Sequence, residues 1–326
     1  MTQESSSKSV RRRGINPIVI ELGGRENTQS VAFLVDGKHV VSGGYSGKIR
    51  YWRVEDGKEV GMAMDAGTLV CNMAVSRDGK WIVSGTRDGL VAVWNAESHK
   101  KVIEFTGHSE YARVVDVSPD GTRIASGSDD KTVCVWSLST GRRLLGPLTH
   151  AYWVAAAQFS PDGSLIATAT WHRDSVRIYT SQSGRLLVDL PIQVSSDVNQ
   201  SLAWMSDSKQ LFALSDDGNI HCLDVSTRTI LSKWLIHSNG NPRCISMVGN
   251  GTLMAASAGS SVSFWNTTTR EQVGSVIKFT HDIKAMAISA NVDLVVGGDK
   301  KITLHSLSDI LHAFHFDVVS AVVTSV

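Results

Sequence analysis

Little in this chain marks reactive chemistry or a lipid boundary. Cysteine is scarce: Cys71, Cys134, Cys222 and Cys244 are the only four, they sit in apolar strand-like segments, and none forms a C-x-x-C pair. That argues against a disulfide scaffold or a cysteine-rich zinc site and predicts small buried fillers in a reducing compartment. Charge of one sign is not in surplus. The 32 basic and 31 acidic residues leave a net charge of +1, which withholds the usual electrostatic drive for binding a phosphate backbone. No run approaches the roughly 20 apolar residues of a membrane span, and the opening MTQESSSKSVRRRG lacks the apolar centre of a secretory leader. G-x-S-x-G, a Walker loop, H-E-x-x-H and paired Cys/His spacings are missing. His312 and His315 in HAFHF match no metal-binding motif and are expected to be inert. No segment shows a long helical period. These absences lead to the expectation of a non-catalytic protein with no metal, no cofactor and no membrane partner, and with nucleic acid disfavoured.

What is present is a clock. Asp-Gly falls at Asp36-Gly37, Asp78-Gly79, Asp120-Gly121 and Asp162-Gly163, each 42 residues after the last. Asp207-Ser208, Asn250-Gly251 and the stretch from Asn291 to Asp293 hold the next three positions, which makes seven units. A second marker keeps the same phase. Trp52, Trp94 and Trp136 close β-branched runs, and the register continues through Tyr179, Leu223, Trp265 and His305 at intervals of 42, 42, 43, 44, 42 and 40. A period of roughly 40–45 residues fits a four-stranded propeller blade.

The cleanest unit spans residues 102–148. VIEF, ARVVDVS, TRIASGS and TVCVWSL alternate as strands, and TGH, PDG and DDK turn the chain between them. IVIEL at 18–22 resembles VIEF at 102–105, so it reads as an outermost strand with no blade before it. Its pairing with the final unit would join the ring by backbone hydrogen bonds and remove two open edges. The tail HAFHFDVVSAVVTSV then packs beneath the ring or competes for the same edge. The expected fold is all-β: a seven-bladed β-propeller of four-stranded antiparallel blades, closed by the N-terminal strand. Residues 1–15 read as a disordered basic arm, 16–311 as the ring and 312–326 as a tail. The basic run at Arg11, Arg12 and Arg13 suits nuclear import or contact with an acidic partner, and the expected location is cytoplasmic or nuclear.

TGH at 106–108, SPDG at 118–121 and SGSDDKTVCVW at 126–136 strongly resemble the WD-repeat (WD40) β-propeller family, with an overall style similar to standalone or sensor-attached WD-repeat domains of fungi. The resemblance implies a structural tetrad within a blade, formed in the third unit by His108, Ser126, Asp130 and Trp136. A carboxylate accepting from imidazole, and a hydroxyl linking imidazole to indole, would satisfy one another's polar atoms. The second unit keeps Ser84, Asp88 and Trp94 with Ala66 at the His position. The fourth keeps His150 and Thr168 with Tyr179, the first keeps Ser42 and Trp52 with Ser46, and the seventh keeps His281 and Asp299. Recurrence once per unit marks these residues as scaffold, since a catalytic site occurs once.

The resemblance also implies a protein-interaction scaffold or adaptor, working as a bare ring, as a monomer or as a component of a larger complex, with a protein or peptide partner. The alternative is a sensor for a ligand or modified peptide, with a pocket at the mouth of the central channel. Family register places Tyr45, Arg87, Asp129, Trp171, His172 and Asp216 in the turns between second and third strands. It places Tyr111, Arg113, Trp153, Arg243 and Lys284 at or near the starts of inner strands. Aromatics and arginine at loop positions are the types that anchor interfaces. The expected centre is Tyr111, Arg113, Trp153, Trp171 and His172. Within it, either Trp153 packs between blades and Trp171 alone is exposed, or both indoles reach the surface.

Overall fold

Short β-branched runs broken by turn residues fold here into strands alone. A computed structural model describes residues 17–23, 26–171, 176–194, 200–236, 242–248, 251–289 and 293–307. These hold 28 strands and no helix. Six sheets are built from four consecutive antiparallel strands, beginning with inner strands Thr28–Phe33, Val70–Val75, Ala112–Val117, Val154–Phe159, Leu202–Trp204 and Pro242–Val248. The seventh sheet takes three strands from the end of the ring, Ile283–Ile288, Asp293–Gly298 and Lys301–Ser306, and its outermost strand, Ile18–Glu21, from the start. Ile18 faces Leu304 and Glu21 faces Lys301 in antiparallel register. Leu22 N–H continues the ladder to the Lys300 carbonyl at 2.8 Å. The ring is a seven-bladed β-propeller closed by its N-terminal strand. The arm at 1–15 and the tail at 312–326 lie outside the described residues.

The periodic Asp-Gly has a backbone cause. Gly37, Gly79, Gly121 and Gly163 all adopt φ between 61° and 73°, a left-handed conformation that glycine enters without steric cost. In the fifth blade Ser208 holds the same kind of turn at φ 60°, so the repeat persists where its sequence marker fades.

The core lies between blades. One apolar cluster joins Val41, Ile49 and Met64 to Val70, Met73 and Ile82 across the first and second blades. Another joins Ile178, Val188 and Val194 to Trp204, Leu211 and Leu223 across the fourth and fifth. A third joins Ile20, Ile302 and Leu304 to Val31, Val40 and Trp52 across the closure. Each blade thus shares its apolar core with its neighbours. Polar ties on successive inner strands add direction: Ser30 Oγ accepts Met73 N–H at 2.9 Å, Asn72 Oδ1 accepts Val115 N–H at 3.1 Å and Asp116 Oδ2 accepts Phe159 N–H at 2.7 Å.

Candidate functional site

A repeated irregularity presents the site. In six blades the inner strand begins with a register shift against its neighbour, at Thr28/Ser30, Val70/Asn72, Ala112/Val114, Val154/Ala156, Pro242/Ile245 and Ile283/Ala285. Such bulges re-aim the extra residue. In the third, sixth and seventh blades the bulge includes Arg113, Arg243 and Lys284.

Arg113 is the centre of a built cluster. Its Nε and Nη2 donate to the two carboxylate oxygens of Asp129, the latter at 2.7 Å. Its guanidinium carbon lies 4.7 Å from the ring centre of Trp171, 5.6 Å from Tyr111 and 5.8 Å from Trp153. Arg87, from the second blade, covers Tyr111 at 5.4 Å. The two indoles meet at 5.1 Å with planes tilted by 51°. Burial disfavours the Arg113 charge, and the Asp129 hydrogen bonds and charge more than offset it, so its pKa is raised. Five side chains expected to contact partners, Arg87, Tyr111, Arg113, Trp153 and Trp171, therefore converge across three blades.

Other expected positions fall elsewhere or play other parts. Asp129 is buried and is the counter-ion of Arg113, so it serves within the platform and is not an exposed partner contact. Arg243 is only 6% exposed, which corrects its assignment as a surface anchor: its bulge leaves it buried in the ring. Lys284 is half-buried on the seventh blade. Tyr45, 59% exposed, and the exposed Asp216 lie on the first and fifth blades. His172 lies outside the described residues. Of the two indoles, Trp153 is the open one at 42% exposure, while Trp171 packs partly against the core of the fourth and fifth blades. The reading in which Trp171 alone is exposed is therefore reversed.

The sequence reading also missed two neighbours of the platform. Tyr152 is 38% exposed beside Trp153. Val194 makes a parallel bridge to Trp171 and an antiparallel one to Ser215, so residues 192–194 stitch the fourth blade to the fifth. Its only sequence signal was the short apolar alternation in PIQV.

The third-blade polar chain runs Asp130 Oδ2 to His108 Nδ1 at 2.8 Å, His108 Nε2 to Ser126 Oγ at 2.8 Å, and Trp136 Nε1–H to Ser126 Oγ at 2.8 Å. Burial alone would raise the Asp130 pKa, but hydrogen bonds from His108 and Thr132 outweigh it and hold it at about 2. Shorter versions survive elsewhere. Trp52 donates to Ser42 at 2.7 Å and Trp94 to Ser84 at 2.9 Å. Trp265 instead donates to Ser263, two residues before it in its own strand. Two histidines that occupy the first tetrad position have lost the device. Both ring nitrogens of His150 and of His281 lack a hydrogen-bond partner, and Asp299 accepts from Asn27 Nδ2 at 3.1 Å. Burial, then the nearby Arg177 charge, pushes the His150 pKa down to about 4.

The WD domain, G-beta repeat family model matches residues 19–53, 65–95 and 99–137. These three segments are WD40 repeats, set in a seven-bladed propeller. The matched repeats belong to the first three blades, and the remaining blades keep the same four-stranded plan. The fold is similar to the structure of U3-55K, with TM-score 0.76 and 19% identity, covering 90% of this chain and 100% of that one. It is equally similar to the crystal structure of RRP9 WD40 repeats, with TM-score 0.76 and 19% identity, covering 89% and 98%. Identity this low speaks for the fold alone. No curated protein matches the chain significantly.

Proposed function

We propose that this WD40 propeller is a non-catalytic protein-interaction scaffold whose partner docks on Tyr111, Arg113, Trp153 and Trp171. One observation carries the reading: Arg113 is held by a bidentate ion pair between three aromatic rings from two blades. Side chains fixed before a partner arrives lose little freedom on binding, and Trp, Tyr and Arg are the residues that dominate interface energies. In the third blade Asp130, His108 and Ser126 are engaged with one another, which suits a scaffold role for them. A ligand-sensing role has less support. The cavity lined by Gln158, Gln200, Leu202, Trp204, Ser246 and Met247 has a volume of about 170 Å³, below the roughly 300–1,000 Å³ of typical small-molecule sites; a larger one of about 380 Å³ lies beside the closing strand, where Arg50 is already paired with Glu26 and Glu59.

The test is quantitative affinity capture from the native source with wild-type chain and Trp153→Ala. Trp153 is the suitable position because it is exposed, whereas removing Arg113 would strand the buried Asp129 carboxylate. The expected result is partners captured by the wild type and lost by the folded variant. An unchanged partner set would remove the platform as the docking site.

A further inference from the structure

We infer that the platform takes an uncharged, proline-rich segment of its partner in polyproline II conformation. This rests on the docking reading above and names the chemistry of that site.

Three aromatic rings around a cation are the arrangement that captures quaternary ammonium groups. Here the cation is the chain's own. Arg113 sits 4.7–5.8 Å from the three ring centres and is tethered to Asp129 by two hydrogen bonds. A methylated lysine would have to displace a guanidinium whose counter-ion is buried. Anionic occupants are disfavoured for a different reason. Arg87 is exposed beside Tyr111, but exposed Asp88 and Glu110 stand next to these two residues in the chain. Arg113 and Asp129 cancel, so among the described residues the local balance is one cation against two carboxylates. That setting repels a phosphate backbone and an acidic peptide.

The apolar surface left open there is aromatic. Trp153 and Tyr152 are the exposed faces, and Trp153 meets Trp171 in a tilted wedge, 5.1 Å between centres at 51°. Indole and phenol faces against a rigid ring without charge are the surfaces that proline-rich ligands use. A polyproline II segment also enters already ordered, with no internal backbone hydrogen bonds to break.

The experiment is fluorescence anisotropy on the full chain with labelled decaproline, alongside a trimethyllysine peptide and an oligothymidylate as competing chemistries. Decaproline is expected to bind saturably and most tightly. Trp153→Ala should weaken it by about tenfold or more, Trp153→Phe should restore most of the affinity, and Tyr45→Ala should leave it unchanged. Absence of saturable decaproline binding, indifference to Trp153→Ala, or tighter binding of either competitor overturns the inference. If native partners are lost on Trp153→Ala while decaproline fails to bind, the docking site stands and only its proline chemistry falls.

Discussion

Replacing Asp130 by alanine strikes the one blade whose polar chain is complete. The carboxylate accepts from His108 Nδ1 at 2.8 Å, Ser109 N–H at 3.2 Å, Thr132 N–H at 2.9 Å and the Thr132 hydroxyl at 2.6 Å. The His108 side chain is fully buried, so its ring N–H loses a charged acceptor where water cannot fully replace it. Hydrogen bonds to charged groups contribute about 1.5–3 kcal/mol, and an orphaned buried donor costs a similar amount. Thr132 Oγ1, 3.2 Å from His108 Nδ1, recovers part of the loss, which leaves a net cost of about 2–3 kcal/mol. Ser46→Ala is the comparison: its hydroxyl accepts only Lys48 N–H, at 3.3 Å, and should cost under about 0.5 kcal/mol. Urea unfolding followed by tryptophan fluorescence reads both. The pH arm has a definite sign. The Asp130 pKa is depressed to about 2 in the fold, so the stability it contributes is present above about pH 4 and fades as pH falls toward 2. The gap between wild type and Asp130→Ala should close over that window. An Asp130→Ala chain of full stability that has lost its partner would refute the structural assignment.

Two further outcomes are expected. Deleting residues 1–24 removes the strand Ile18–Glu21 that closes the seventh blade and should lower Tm sharply, whereas deleting 1–14 should not; equal melting temperatures would contradict closure by this strand. Burial pushes the Asp116 pKa up to about 7 against hydrogen bonds from Phe159 and Val117 N–H, so the wild-type fold loses stability as pH rises from about 4 to 7. Asp116→Asn keeps an acceptor for Phe159 and should gain over wild type by about 1–2 kcal/mol at pH 8, the side chain being only partly exposed, with the gain shrinking toward pH 4; a gap that does not change with pH would sink this account.

The fold was legible because one backbone requirement, the left-handed turn at Gly37, Gly79, Gly121 and Gly163, prints itself in the sequence at a fixed interval. Closure was legible for a related reason: IVIE resembles outer strands elsewhere and has no blade before it. The site was legible only as residue types at loop positions. The pairing of Arg113 with Asp129 depends on a bulge that no single residue announces. A bulge at the start of the inner strand places Arg113 among three aromatic rings in the third blade, while one in the sixth leaves Arg243 buried. The contrast between Trp153 and Trp171 turns on residues 192–194 crossing from one blade to the next, a contact made in space and not along the chain. His150 and His281 show the converse. Each occupies the family position, yet neither ring finds the acceptor that gives the position its role.

The central claim is that a partner covers the face bearing Arg113 and its three rings. Hydrogen–deuterium exchange of the chain, free and bound to its captured partner, tests this most directly. The account predicts protection on binding in peptides covering residues 109–113 and 150–154, with the Asp-Gly turns at 36–37, 78–79, 120–121 and 162–163 unchanged. Protection confined to those turns, with the Tyr111 and Trp153 peptides exchanging as in the free chain, would contradict it.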